Sequence, residues 1–162
     1  MPDLPAFNSA PPDELRPLLA ECLAVPRWVD AVLAGRPYAD VEALLAAADR
    51  AAEELSDDEV RAAIAGHPRI GERATGGGPG ARWSADEQSG VAAAAAGRLA
   101  TANAAYEERF GHIYLVCATG LSGERVLIDL DARLGNPPDV ELRVVNRELA
   151  RIAALRLGKV LS

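Results

Sequence analysis

His67 and His112 are the only histidines among the 162 residues, and His67 stands in a run that can present its imidazole for catalysis. The run is Gly66-His67-Pro68-Arg69-Ile70-Gly71. A glycine readily ends a helix, and a proline biases the residue before it away from helical geometry. An imidazole held at such a point can act as a general acid or base near neutral pH. The residues alone also allow His67 to satisfy the helix C-terminus through its charge and hydrogen bonds.

Glu87 lies in a second patterned segment, Ser84-Ala85-Asp86-Glu87-Gln88. Two interpretations of its carboxylate stay open from the residues alone. In the first, Glu87 belongs to an active site and orients an imidazole or a polar substrate. In the second, Ser84 and Glu87 form a capping box, in which Glu87 accepts a hydrogen bond from a backbone N–H at the start of a helix.

Arg156 is the third candidate, because it lies between Leu155 and Leu157 in an apolar stretch rather than in a solvated run of charges. A planar guanidinium can hold a carboxylate or a carbonyl with two parallel hydrogen bonds, which fixes the orientation of a substrate. The alternative is an ion pair between Arg156 and an acidic residue at a helix end.

Other kinds of site lack their patterns in this sequence. The His, Cys, Asp and Glu residues do not cluster at the helical spacing of a zinc site. The glycine-rich stretch from Gly71 to Arg82 lacks the Gly-Lys-Ser/Thr ending of a P-loop, and no Gly-x-Ser-x-Gly elbow occurs. Cys22 and Cys117 lie among apolar neighbours and are predicted to be buried, reduced thiols. We therefore expect no metal site built by the protein.

Composition narrows the class of partner. Seventeen basic against 24 acidic residues give a net charge of −7, which repels phosphate backbones, so nucleic acid is not expected as a partner. Apolar runs such as 91–96 fall far short of the roughly 18 residues that cross a bilayer, so no membrane span is expected. The N-terminus has no basic, then apolar, signal-peptide pattern. We expect one domain over residues 1–162, located in the cytoplasm.

Apolar residues recur at spacings of three and four, which predicts an all-α fold: a single-domain helical bundle of about seven to eight helices with one short extended segment. Ser56-Asp57-Asp58-Glu59 is a second capping-box pattern, and Gly66 is expected to end the helix that it starts. The predicted helices begin near Pro12, Trp28, Asp40, Ser56, Ala85, Ser122 and Asp139, and they end near Pro26, Gly35, Leu55, Gly66, Arg109, Leu134 and Val160.

Residues 112–118 differ from the rest of the chain, because Ile113-Tyr114-Leu115-Val116-Cys117 is an apolar, β-prone run bounded by glycines. The pattern predicts a short, buried extended segment that does not belong to a sheet. Extended backbone there leaves N–H groups available to a ligand.

The two patterned segments together resemble the signature of 2-oxo-4-hydroxy-4-carboxy-5-ureidoimidazoline (OHCU) decarboxylases. Three further segments are similar to the family in the same order, so the resemblance covers nearly the whole chain. They are Arg36-Pro37-Tyr38, Phe110 to Gly120, and Ile152-Ala153-Ala154-Leu155-Arg156-Leu157. The resemblance implies an all-helical, cofactor-free enzyme of uric acid degradation, often a homodimer, that releases carbon dioxide from OHCU and leaves (S)-allantoin.

The resemblance also implies a role for each candidate residue. His67 would be the general acid or base, Glu87 would hold the imidazole or the substrate's hydroxyl and ureido N–H, and Arg156 would clamp the substrate. The substrate-binding residues would be Pro68, Ser84 and Gln88, together with backbone N–H groups near Leu115, Val116 and Cys117.

This sequence departs from the family pattern at two places: the glycine-richer loop Gly76-Gly77-Gly78-Pro79-Gly80, and His112, where a bulkier apolar or aromatic residue is common. The peroxisomal ending of eukaryotic relatives is absent, which favours a cytoplasmic, bacterial-type enzyme. Two alternatives stay open: a decarboxylase of a related ureido or imidazoline acid, and a non-catalytic helical module whose alanine-rich faces bind a partner helix.

Overall fold

A computed structural model describes residues 2–72, 79–89 and 96–161 of the chain. The described part contains nine helices and no β-strand, which confirms the all-α class. The helices are α1 (Leu4–Ser9), α2 (Pro12–Cys22), α3 (Pro26–Ala34), α4 (Val41–Glu53), α5 (Asp57–Ile64), α6 (Pro79–Glu87), α7 (Ala96–Phe110), α8 (Gly123–Arg133) and α9 (Pro138–Val160). The expected count of about seven to eight was too low.

Helix α9 is the centre of the packing, since it lies against α2, α4 and α5, while α3 packs on α2 and α4. These helices enclose a large apolar cluster around Trp28, Leu44 and Leu149. A second apolar cluster lies between α7 and α8 around Leu99, Tyr106 and Leu130. No helix in the described ranges has both the length and the apolar character of a membrane span.

Local sequence signals fix several helix starts. The predicted capping box of α5 is confirmed, because Ser56 Oγ accepts from Glu59 N–H at 3.2 Å and Glu59 Oε1 accepts from Ser56 N–H at 2.9 Å. The sequence prediction missed the short α1. Asp3 caps this helix, Pro5 lies in its first turn, where proline is tolerated, and Phe7 is fully buried.

The capping box considered for Ser84 to Glu87 is not present. Helix α6 begins at Pro79, where a proline costs a helix least, so Ser84 lies inside the helix and Glu87 is its last residue. The single long helix predicted from Ala85 to Arg109 is also wrong at Gln88 and Ser89, which form a turn. Residues 90–95 of that prediction, and residues 73–78 of the predicted glycine-rich loop, lie outside the described residues.

Residues 112–118 form the predicted segment that is neither helix nor strand. The segment joins the two apolar clusters, because Leu115 packs in the first and Tyr114 and Ala118 pack in the second. The backbone of the segment is fixed by a side chain of α8, because Arg133 Nη1 donates to the Leu115 carbonyl at 2.7 Å. The segment therefore keeps a fixed position without a sheet.

Arg133 belongs to a buried ionic network that sequence patterns did not reveal. Its Nη2 donates to Glu141 Oε2 at 2.6 Å, and Glu141 also accepts from the Tyr106 hydroxyl. Tyr114 donates to Asp129 at 2.5 Å, and its ring lies 4.5 Å from the Arg133 guanidinium. Burial raises the pKa of Tyr106 and of Tyr114, so both remain protonated donors at neutral pH.

Replacing Glu141 should destabilise the fold strongly, because the Glu141→Ala change leaves the Arg133 cation buried without its main partner. We expect the free energy of unfolding in urea to fall by about 3–5 kcal/mol. Arg98→Ala is the matched control, since it breaks the solvent-exposed Arg98–Glu124 pair and should cost less than about 1 kcal/mol. Equal losses in the two variants would contradict the importance of the buried network.

Candidate active site

The Arg156 guanidinium joins the last helix to α6. Its Nε donates to Glu87 Oε2 at 3.1 Å, and its Nη2 donates to Glu87 Oε1 at 2.9 Å and to Ser84 Oγ at 3.0 Å. All three side chains are buried, at 5–7% exposure. The two parallel bonds to one carboxylate are the strong, bidentate form of an arginine pair. Of the two interpretations of Arg156, the structure contains the ion pair with an acidic residue at a helix end, which is Glu87.

The same guanidinium reaches a third helix, since Arg156 Nη1 donates to the main-chain carbonyl of Glu21 at 2.8 Å. The face of the group lies 5.8 Å from the Trp83 ring, which is itself buried. An arginine has five N–H donors, and four hydrogen bonds occupy this one. One Nη1 hydrogen is therefore left for a ligand.

His67 follows the end of α5, as the sequence predicts, and its main-chain N–H donates to the Ile64 carbonyl at 3.0 Å. Its imidazole makes no hydrogen bond to any of the described residues, so it does not cap the helix through a side-chain bond. The ring nitrogens are therefore available to a ligand.

The imidazole is held in its neutral form. Desolvation of the ring, and the nearby positive charge of Arg156, lower the pKa of His67 to about 4. At neutral pH the ring therefore has one nitrogen that can accept a proton and one that can donate a hydrogen bond. A neutral histidine beside a buried cation is suited to act first as a base.

The loop that follows His67 is anchored to α7 and to the turn that follows α6. Arg69 pairs with Glu107 of α7 through two bonds of 2.8 Å, and Asn103 Nδ2 donates to the Ile70 carbonyl at 3.1 Å. Gly71 has a φ of +91°, which favours glycine, and its N–H donates to Gln88 Oε1 at 2.8 Å. These bonds hold the loop beside the C-terminal end of α6.

Residues of the extended segment form the opposite wall. Leu115 and Val116 line a narrow cavity together with His67, Pro68 and Glu87. Neither Leu115 nor Val116 uses its main-chain N–H in a hydrogen bond to any residue that the structure describes. Cys117 differs, because its N–H donates to Glu148 Oε1 at 3.2 Å and the residue lies outside the wall of this cavity.

His67 stands where three cavities meet. The narrow one has a volume of about 30 Å³. A second, of about 290 Å³, is lined by His67, Ser84 and Arg156. The third is a cleft of about 710 Å³ that reaches His67 and Pro68 from the side of Arg69 and His112. The imidazole is thus in reach of a small molecule from more than one side.

The structure brings together most of the side chains that the sequence singled out. His67, Pro68, Ser84, Glu87 and Gln88 line the narrow cavity, and Arg156 binds two of them. The amide of Gln88 is partly occupied by Gly71 and by the Glu72 carbonyl, at 3.4 Å.

Sequence reasoning missed Glu21, Arg133, Glu141 and Glu148, whose side chains or carbonyls hold the site residues in place. One signal was available for two of them. Glu141 and Glu148 lie at buried positions of α9 beside Leu142, Val145 and Leu149, where a solvated acid is not expected.

The lowered pKa of His67 makes stability depend on pH. Between pH 6.5 and pH 4 the unfolded chain binds a proton at this position while the folded chain does not, so stability falls as the pH falls through this range. The loss should approach about 3 kcal/mol in urea unfolding. It should vanish in His67→Asn and persist in His112→Asn. The same acid loss in wild type and His67→Asn would contradict the assignment.

The chain matches known proteins over most of its own length. The family model of OHCU decarboxylases matches residues 8–158. The chain is 31% identical over 136 residues to the 2-oxo-4-hydroxy-4-carboxy-5-ureidoimidazoline decarboxylase of Amia calva, covering 81% of this chain and 78% of that protein. It is 32% identical over 135 residues to the uric acid degradation bifunctional protein TTL of Arabidopsis thaliana. This match covers 78% of the chain but only 41% of the Arabidopsis protein.

Solved structures agree on the fold. The chain superposes on a crystal structure of OHCU decarboxylase obtained in the presence of (S)-allantoin with a TM-score of 0.73 at 23% identity, covering 92% of this chain and 97% of that one. It superposes on (S)-allantoin synthase with a TM-score of 0.72 at 18% identity, covering 97% of this chain and 53% of that one. Because the family model matches residues 8–158 and the Amia calva relative is 31% identical over most of both chains, the chain belongs to the OHCU decarboxylase family.

Proposed function

We propose that this protein decarboxylates OHCU to (S)-allantoin in uric acid degradation, and that its own side chains supply the chemistry without a cofactor. The observation that carries the proposal is the free, neutral imidazole of His67, which shares a cavity with Ser84 and the buried Arg156. Membership of the OHCU decarboxylase family supports the choice of substrate.

Decarboxylation of OHCU requires a proton to leave the hydroxyl and a proton to reach a ring carbon. Loss of carbon dioxide moves the electron pair of the broken C–C bond into the imidazoline ring, where the ring nitrogen that receives it takes a proton from solvent. A second proton must reach one face of a ring carbon. Neutral His67 takes up the proton of the substrate's hydroxyl as the ring carbonyl forms. The resulting imidazolium, or the same ring after exchange, delivers a proton to the carbon. A low pKa favours rapid return of the proton.

Glu87 and Arg156 act as one polar unit in this proposal. The two bonds from Arg156 fix the direction of the Glu87 carboxylate, whose remaining lone pairs accept from the substrate's ureido N–H or from the imidazole. The remaining Nη1 hydrogen of Arg156 can meet an anionic or carbonyl oxygen. Ser84 accepts from Arg156, so its own hydroxyl hydrogen is free to donate to the substrate.

The backbone of the extended segment completes the binding site. The N–H groups of Leu115 and Val116 donate to carbonyl oxygens of the substrate, while Pro68 and Gln88 shape the wall beside them. Cys117 contributes no N–H, because Glu148 already accepts it. The cavity of about 30 Å³ is far below the roughly 300 Å³ of small-ligand pockets. The substrate therefore also occupies the adjoining cavity of about 290 Å³, which is lined by His67, Ser84 and Arg156.

The proposal also includes the domain extent, the cellular location and the oligomeric state. Residues 1–162 form one domain of this family, the enzyme works in the cytoplasm, and it assembles as a homodimer.

His67→Asn should abolish most of the activity without unfolding the protein, because the proton shuttle is lost while the ring makes no hydrogen bond to the described residues. We expect the rate to fall by about 10²- to 10⁴-fold. The measurement is circular dichroism of the allantoin formed from freshly generated OHCU, since an enzyme sets the configuration whereas spontaneous decay gives a racemate.

His112→Asn is the matched control and should keep the wild-type rate, because His112 is outside the proposed set of reacting groups. Far-UV circular dichroism should show that both variants keep their helices. Identical optical traces for buffer, wild type and His67→Asn would overturn the proposed function and favour a helical interaction module. Full activity in folded His67→Asn would overturn the role of His67 alone.

A further inference from the structure

We propose that Glu21 is a positioning residue that sets the place of α6 relative to Arg156, and so aligns Ser84 and Glu87 for the reaction. The inference rests on the proposed decarboxylase function. Glu21 lies in the last turn of α2 and is half-buried. Its carboxylate and its main-chain carbonyl bind to two different parts of the site.

The first bond runs from α9. Arg156 Nη1 donates to the Glu21 carbonyl at 2.8 Å, so the backbone of α2 holds the guanidinium from the side opposite to Glu87. Every substitution at position 21 retains this carbonyl. The bond therefore remains in all side-chain variants, which separates the role of the carboxylate from that of the backbone.

The second bond runs from α6. The N–H of Gly80, in the first turn of α6, donates to Glu21 Oε2 at 3.1 Å. A Cβ built on Gly80 would lie 2.1 Å from the same oxygen, so a side chain at this position would displace the Glu21 carboxylate from the bond. The N-terminal turn of α6 is thus tied to α2 at one point by a carboxylate.

The geometry of α6 carries the effect to the reacting groups. Ser84 lies one helical turn beyond Gly80, and Glu87 lies about two turns beyond it. A helix moves as a rigid body, so a shift at its first turn changes the positions of both side chains relative to Arg156. Glu21 and Gly80 also line the cavity of about 290 Å³ that contains His67, Ser84 and Arg156. The bond is therefore part of the wall that surrounds the proposed substrate.

Glu21→Ala removes the acceptor, and we expect kcat/KM to fall about ten- to hundredfold, as displacement by about 1 Å does in other sites. Most of the loss should fall on kcat, because Glu87 and Ser84 remain present but misaligned. Glu21→Gln should restore most of the rate, since its amide oxygen still accepts from Gly80 N–H. The matched control is Glu14→Ala, which removes an exposed carboxylate from the same helix and should leave the rate unchanged.

Gly80→Ala tests the same contact from the other side. Its methyl group displaces the Glu21 carboxylate and should slow the enzyme by a similar factor. In a Glu21→Ala background the same change meets no carboxylate, so it should cause little further loss. This cycle of single and double variants distinguishes a specific contact from general loss of stability, which would add.

The outcomes separate the two proposals. If wild type forms no excess of (S)-allantoin over buffer, the decarboxylase function fails. If wild type is active, Glu21 loses its role in any of three cases: folded Glu21→Ala keeps the wild-type kcat, Glu21→Gln is as slow as Glu21→Ala, or the losses from Glu21→Ala and Gly80→Ala simply add. If Glu21→Ala does not fold, wild-type kcat in Gly80→Ala overturns the inference.

Discussion

The candidate site depends on the hydrogen bonds that the buried guanidinium of Arg156 makes to three partners. The guanidinium joins α9 to α6 through Glu87 and Ser84, and it joins α9 to α2 through the Glu21 carbonyl. An isolated charge is expensive to bury, so the group is stable there only while these partners surround it. Removing a partner therefore changes both the packing of α6 and the polar surface that faces the cavity.

Burial and the charge of Arg156 together keep the neighbouring histidine neutral. Desolvation of the imidazole is the larger cause, and the nearby Arg156 cation adds to it by disfavouring a second positive charge, so the pKa of His67 is lowered to about 4. A bound substrate carboxylate has the opposite effect on the imidazole, because it favours the imidazolium. In the proposed mechanism, His67 therefore accepts a proton while the anionic substrate is bound and gives it up once carbon dioxide has left. A second buried arginine, Arg133, fixes the facing wall by binding the Leu115 carbonyl.

Sequence patterns predicted the parts of the fold that depend on neighbours along the chain. The capping box at Ser56 and the apolar stripe of α4 are local signals, and the structure confirms both. The start of α6 was predicted wrongly, because Ser84 to Glu87 has the local pattern of a capping box whereas the helix begins at Pro79. Its first turn contacts Glu21, which lies 59 residues away from Gly80 and is not a neighbour along the chain. The Arg156–Glu87 pair joins residues 69 apart, and only the general rule that a charge among apolar residues needs a partner pointed to it. The proposed substrate was inferred from the resemblance to a known family, because periodicity carries no information about a ligand.

The most direct test of the role of the Arg156 hydrogen bonds is the kcat/KM of Arg156→Lys, measured through the optical activity of the allantoin formed. Lysine keeps the positive charge but cannot make the parallel bonds to Glu87 together with those to Ser84 and Glu21. A loss of about 10²-fold is expected in a protein that remains helical. Arg147→Lys, an exposed position on the same helix, should leave the rate unchanged. A folded Arg156→Lys enzyme with the wild-type kcat/KM would contradict the account.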